Sequence, residues 1–209
     1  MPTNTILYDT TRKFLGDGTI DFDTDTVKVA LLTSGYNPRP GAAAWNATVT
    51  YALGTVIIYG GRYYEALSAG VSAGAVPLFP TIIGATITDN TVTWYCWGYA
   101  PPSTHSVFAD VSASELPSAG GYTAGGAALT SKAITTVLRS ARYSAGPVSW
   151  PGATFTVRYA VIYKVGTANA LVNPLLLYVL LDSTNADVSV PVAAAFSLSW
   201  PVTGIFTHN

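Results

Sequence analysis

The sequence predicts a mainly β protein: a β-sandwich or barrel body with one N-terminal helix and a small all-β inserted domain. Three observations carry this. Apolar residues recur with period two at Val27, Val29 and Leu31, at Phe155, Val157, Tyr159, Val161 and Tyr163, and at Val188, Val190 and Val192, the spacing that sends alternate side chains to opposite faces of a strand. Gly, Pro and Ser clusters separate these runs, and helical spacing is confined to the start of the chain. Between them lies a segment of different character, in which Trp45, Trp94, Trp97 and several tyrosines sit in short strand-like pieces split by glycines.

Taken in order, "TNTILYDTTRKFLGDG" is the helix candidate. Ile6, Leu7, Phe14 and Leu15 fall at helical spacing, Thr3 to Thr5 offer an N-cap and Gly16 a stop. "DGTIDFDTDTVKVAL" then changes the period to two, and "SGYNPRPG" is a turn-rich exit. The body is expected to comprise residues 1–43 and 102–209, with the aromatic insert at 44–101 ending in the linker-like "YAPPST". In the second part of the body, Ser112 and Glu115 have the spacing of a capping box for one helical turn before Pro117. "ATFTVRYAVIYKVG" and "DVSVPVAAAFSLSWPVTG" alternate as strands. Pro191 and Pro201 fall on the parity opposite to the apolar residues, which suits an edge strand or strand ends.

Of the 209 residues, 49% are hydrophobic and only 10% charged, with a net charge of −1, against about 25% charged in an ordinary soluble domain. Attraction to nucleic acid or to an anionic membrane has no electrostatic basis here. A surface so poor in charge has little repulsion against association, which favours an assembled protein. The single cysteine, Cys96, rules out an intrachain disulfide and a cysteine-based metal site. The start of the chain lacks a basic-then-apolar leader, and the run "ALVNPLLLYVLLD" is too short to span a bilayer. A soluble protein made in the cytoplasm is expected.

Motifs that suggest chemistry fail on their spacing. Asp21, Asp23 and Asp25 alternate as a calcium loop begins, but Thr26 and Leu32 stand where such a loop needs Gly and Glu. They are expected to be the polar turn into a strand. "GVSAG" places Ser72 as in a nucleophile elbow, with Asp89 and His105 following in triad order, but "AVPLFP" cannot supply the helix that must follow. Glu65, Asp89, Glu115 and Asp182 have no spacing that implies a paired-carboxylate site. "SAGGYTAGGAAL" lacks the lysine and the strand-to-helix frame of a phosphate cradle. No catalytic, cofactor-binding or metal-binding residue is assigned, no cofactor is expected, and the chain is read as a non-enzyme. The insert keeps the one plausible recognition chemistry, since Trp and Tyr faces stack on sugar rings, although so small a domain also needs aromatics for its core. The candidate glycan or interface residues are Trp45, Tyr59, Tyr63, Tyr95, Trp97 and Tyr99. Strand parity puts Trp94 and Cys96 on one face and Tyr95 and Trp97 on the other.

The blocks "YDTTRKFLGDGTIDFDTDTVKVALLTSGYNP", "THSVFADVSASELPSAGGYTAGGAALTSKAIT" and "ATFTVRYAVIYKVG", in that order, resemble a family of tailed-bacteriophage virion structural proteins. The resemblance covers residues 1–40 and 104–182. It implies a capsid decoration, cement or head-fibre role and supplies no catalytic residues. The insert is similar to small chitin- and cellulose-binding modules at Trp45, Tyr51, Gly54, Val56, Gly61, Tyr64 and Ala66, and to a phage structural repeat at "GATITDNTVTWYCWG". "LSAG" stands where those modules carry their exposed tryptophans.

The expectation that results is a virion protein on the capsid surface. Its partners would be the major capsid protein or other virion subunits and further copies of itself, as a homotrimer on a symmetry axis, with the insert projecting outward. The alternative is a phage tail, baseplate or adhesion protein whose aromatic insert binds host-surface glycan. Nucleic-acid binding and membrane insertion are not expected.

Overall fold

The computed structural model describes residues 4–137 and 139–208. The chain forms two compact units. One comprises the chain up to Asn37 together with Pro102 onwards, and the other is Pro38–Pro101, so the insert begins upstream of the expected residue 44. Along the chain, β1 (Asn4–Leu7), α1 (Asp9–Gly16) and β2 (Val27–Leu32) open the body. The insert holds β3 (Ala43–Ala44), β4 (Thr50–Tyr51), β5 (Val56–Tyr59), β6 (Arg62–Ala66), β7 (Gly70–Val71), β8 (Thr86–Asp89) and β9 (Val92–Gly98). The body resumes with β10 (Ala127–Ala128), β11 (Ala133–Val137), β12 (Ser140–Ser144), β13 (Val148–Val157), β14 (Tyr159–Lys164) and β15 (Thr167–Ala168). It ends with β16 (Leu171–Val172), β17 (Leu175–Leu180), β18 (Val188–Leu198) and β19 (Phe206–His208). The fold is mainly β and sandwich-like, with one α-helix among the described residues.

The body is built on a five-stranded sheet in the order β1-β17-β14-β2-β10, with every pair antiparallel. β14 and β17 lie inside this sheet, and nearly all their residues are buried on both faces. That explains why "YAVIY" and "LLLYVL" read as continuous apolar runs. On one face, Val29, Leu31, Ala160, Ile162, Leu177 and Val179 share a core with Tyr143, Trp150, Val157, Leu198 and Phe206 from β12, β13, β18 and β19. This is the interior of the sandwich. The opposite face is a tyrosine layer: Tyr36 packs against Tyr159 at 5.1 Å and Tyr178 at 5.7 Å, and Phe108 stacks on Tyr163 at 4.3 Å. The buried hydroxyls of Tyr8 and Tyr36 hydrogen-bond at 2.9 Å, and the Tyr36 hydroxyl donates to Ser103 Oγ at 3.4 Å. Burial and the Tyr36 neighbour push the Tyr8 phenol pKa well above its usual value.

Several expectations need correction. Ile6 and Leu7 are not helical: they lie in β1, paired with Tyr178 and Leu177. The helix begins only at Asp9, behind Tyr8 in the cap position, with no side-chain cap. Sheet pairing of Ile6 and Leu7 outweighs the weak helical propensity of so short a segment. Ser112 and Glu115 form no capping box. Ser112 opens a 3-10 turn, Ser112–Ser114, and the Glu115 carboxylate instead accepts from the Tyr122 hydroxyl and the Gly125 N–H, both at 2.6 Å. The run 153–164 is not one strand. It breaks at Arg158, whose N–H donates to the Leu32 carbonyl at 3.0 Å, and β13 and β14 enter different sheets. Val192 does not share the face of Val190. Ala153 pairs with Ala194 while Phe155 pairs with Val190, so β18 carries a bulge at Ala193 (φ 56°) that turns Val192 to solvent.

The acidic stretch is a turn into β2. Asp21 N–H donates to Asp25 Oδ2 at 2.9 Å, Asp25 Oδ1 pairs with Lys164 Nζ at 3.0 Å, and Phe22 is buried against Tyr143 and Phe206. Among the described residues no group of three or more His, Cys, Asp or Glu is arranged to hold a metal ion.

Candidate functional site: the aromatic insert

The insert's main sheet runs β3-β5-β6-β9-β8. β9 alternates between buried and half-buried along its length, as the sequence parity requires: Trp94 and Cys96 are buried, Tyr95 and Trp97 half-buried. The buried side gathers Tyr51, Ile57, Tyr64, Ala66, Val92, Trp94 and Cys96 into a core. The Trp45, Phe79 and Ile87 side chains pack against it.

At the base of this core lies a carboxylate. Asp89 is only 1% exposed. Its Oδ2 accepts the indole N–H of Trp45 at 2.8 Å and of Trp94 at 3.0 Å, and its Oδ1 accepts the Ala73 N–H at 2.8 Å. Three donors aimed at one anion are what a buried carboxylate needs in place of water. The arrangement fixes both indoles and ties β8 to the loop after β7. Asp89 is thus committed to structure. So is Ser72: buried, it donates to the Asn46 carbonyl at 2.7 Å and accepts from the Val49 N–H at 3.0 Å.

The six residues singled out in the sequence do not form one surface. Trp45 and Tyr59 belong to a cluster around Phe79, whose ring lies 4.5 Å from Tyr64, 4.8 Å from Tyr59 and 6.4 Å from Trp45. Tyr95 and Trp97 lie on the other side of the sheet, 4.9 Å apart with ring planes at 66°, and the Trp97 indole donates to Glu65 Oε2 at 2.7 Å. Tyr63 is buried, which raises its phenol pKa. Tyr99 lies under the Arg62 guanidinium at 4.7 Å, a cation–π contact. Flat stacking of a sugar needs coplanar exposed ring faces; the tilted Tyr95–Trp97 pair and the packed Trp45 do not offer a row of them.

What the structure adds is the loop between β7 and β8. Phe79 turns inward and anchors it, and the Pro80 carbonyl accepts the Tyr64 hydroxyl at 2.9 Å. Burial holds the Tyr64 phenol pKa up at about 12. With the centre pinned, the flanking side chains have nowhere to go but outward. Leu78 is 93% exposed and Ile82 73%, with Val76 and Ile83 also exposed. No charged residue occurs between Glu65 and Asp89. In the sequence this loop registers only as a stretch that cannot be helical, and its further signal is the uncharged run with "PLFP" at its centre. An exposed, uncharged apolar cluster of this kind is the insert's candidate surface for interaction.

No known protein family matches the chain, and none of the curated proteins compared matches it.

Proposed function

We propose that the chain is a non-enzymatic structural protein of a tailed-phage virion that decorates or cements the capsid, binding by surface burial. The observation that carries the binding mode is the apolar loop of the insert, with Leu78 and Ile82 held outward by the Phe79 anchor. The three ordered sequence blocks supply the virion context, and a sandwich-like body rich in Ala, Ser and Thr suits close packing between subunits. Each copy contributes a small apolar contact, and repetition over a lattice turns weak contacts into firm attachment. The partners are the major capsid protein or other virion subunits and further copies of the chain, with a trimer as the expected ring.

Glycan adhesion by the insert is the competing reading. It draws on the half-buried Tyr95 and Trp97 with Glu65 beside them, but their tilt supports it less than the apolar loop supports assembly. The two separate in one experiment. Particles assembled with Leu78→Ser/Ile82→Ser chain should carry fewer copies by quantitative mass spectrometry, whereas Trp97→Ala should leave the copy number unchanged. Loss of copies with Trp97→Ala alone, or a chain absent from purified particles, would overturn the proposal.

A further inference from the structure

The second sheet of the body ends in an unprotected edge. β11 is the outer strand of the order β11-β12-β19, and its sequence is Ala-Ile-Thr-Thr-Val. From Ile134 to Val137 every residue is exposed, so the strand is wet on both faces. Soluble β proteins normally guard such an edge with proline, charge, a bulge or brevity. The other edges among the described residues have these guards. β13 and β18 carry Pro151, Pro191 and register breaks, β3, β4, β7, β10, β15 and β16 are two residues long, β19 is three, and β8 is short and ends in Asp89. β1 has four residues, and its Leu7 packs against the main core. β11 has five residues, four of them β-branched, and none of the guards.

We propose that β11 pairs with β11 of a second copy of this chain, antiparallel about a two-fold axis at Thr135. The register follows from the sequence. Thr135 faces Thr135, Ile134 faces Thr136 and Ala133 faces Val137, so no charged residue meets another across the pair. β-branched and Thr–Thr neighbours of this kind are the favourable cross-strand pairs of antiparallel sheets. The pairing extends the sheet from three strands to six and satisfies the outward N–H and C=O groups of both edges. The contact is isologous, as a two-fold interface must be. It is also small, so in solution it gives a weak dimer. A three-fold ring would use a different surface. This inference does not rest on the virion reading.

The test is sedimentation equilibrium of the full chain from about 10 µM to about 1 mM, a range spanning weak protein association, with two variants. Thr135→Lys places like charges together at the axis and should weaken the dimer at least tenfold. Thr135→Glu does the same, but its carboxylate faces Arg142 of its own β12, the register partner of residue 135, so the hairpin stays folded. An equimolar mixture of the two variants should recover the dimer, because Glu then meets Lys across the axis. A wild-type chain monomeric throughout, an oligomer that neither variant weakens, or a mixture no tighter than the separate variants would each overturn the proposal.

Discussion

Removing the Asp89 carboxylate should strongly destabilise the insert and leave the body as stable as before. In Asp89→Ala, the indole N–H groups of Trp45 and Trp94 and the Ala73 N–H all lose their acceptor. A buried donor left unpaired costs about 1–3 kcal/mol. Trp94 is fully buried while Trp45 and Ala73 are partly so, which places the total at about 3–5 kcal/mol. A unit spanning Pro38–Pro101 has a stability of about 3–9 kcal/mol at ordinary values per residue. The loss is therefore at least about a third of the insert's stability and in the lower half of that range most of it. The body has a separate hydrophobic core and should be spared. Hydrogen exchange reads the two units separately: amides of β9 should lose protection in the variant while those of β14 and β17 keep it. Asp89→Asn should fall between, at about 2–3 kcal/mol, since it keeps one acceptor but turns an NH2 toward the donors. Wild-type protection of β9 in Asp89→Ala would refute the assignment of Asp89 as the structural anchor.

Three further outcomes are expected. Gly126→Ala should destabilise the body by more than about 3 kcal/mol in urea titration, because a Cβ there would lie 2.0 Å from the Val29 carbonyl oxygen at φ +67°; Gly18→Ala, at φ +71° with open space, should lose only the left-handed penalty of about 1–2 kcal/mol. Phe79→Ala should cost the insert about 1–3 kcal/mol, a half-buried share of an aromatic deletion, and should open the loop between β7 and β8 to proteolysis, with unchanged cleavage counting against the anchor. Burial lowers the His105 pKa from 6.5, and Asp110 only partly offsets this. The folded state therefore favours the neutral ring, so its contribution to stability is complete above pH 6.5 and lost as pH falls through the lowered pKa. An NMR titration should give His105 a midpoint below 6.5, and His105→Gln should flatten the melting temperature across that window.

Much of the fold is legible in the residues themselves. The alternation in β9 reports which side chains are inside, because that strand has one face on a core throughout its length; in β2 the period shows a strand but not its burial, since Ala30 and Leu32 are as buried as Val29 and Leu31. Alternation fails where the chain changes sheets. Arg158 continues the pattern of its neighbours, and only its hydrogen bond to Leu32 marks the break. It fails again at Ala193, where the positive φ falls on an alanine that carries no turn signal. Ile6 and Leu7 have helical spacing by coincidence, and their pairing with β17, nearly the whole chain away, is invisible locally. In the insert, composition marks the aromatics as important but not their roles. Ring area alone picks out the six candidates, whereas the structure sorts them by what each ring packs against. Phe79 is not legible locally, because a lone Phe between prolines has no periodicity to reveal that it points inward.

The most direct test of the account is to locate the chain in intact phage particles by cryo-electron microscopy at side-chain resolution. The account predicts copies on the head lattice, with the loop carrying Leu78 and Ile82 buried against a neighbouring subunit. Copies confined to the tail, or a loop standing free in solvent on every copy, would contradict it.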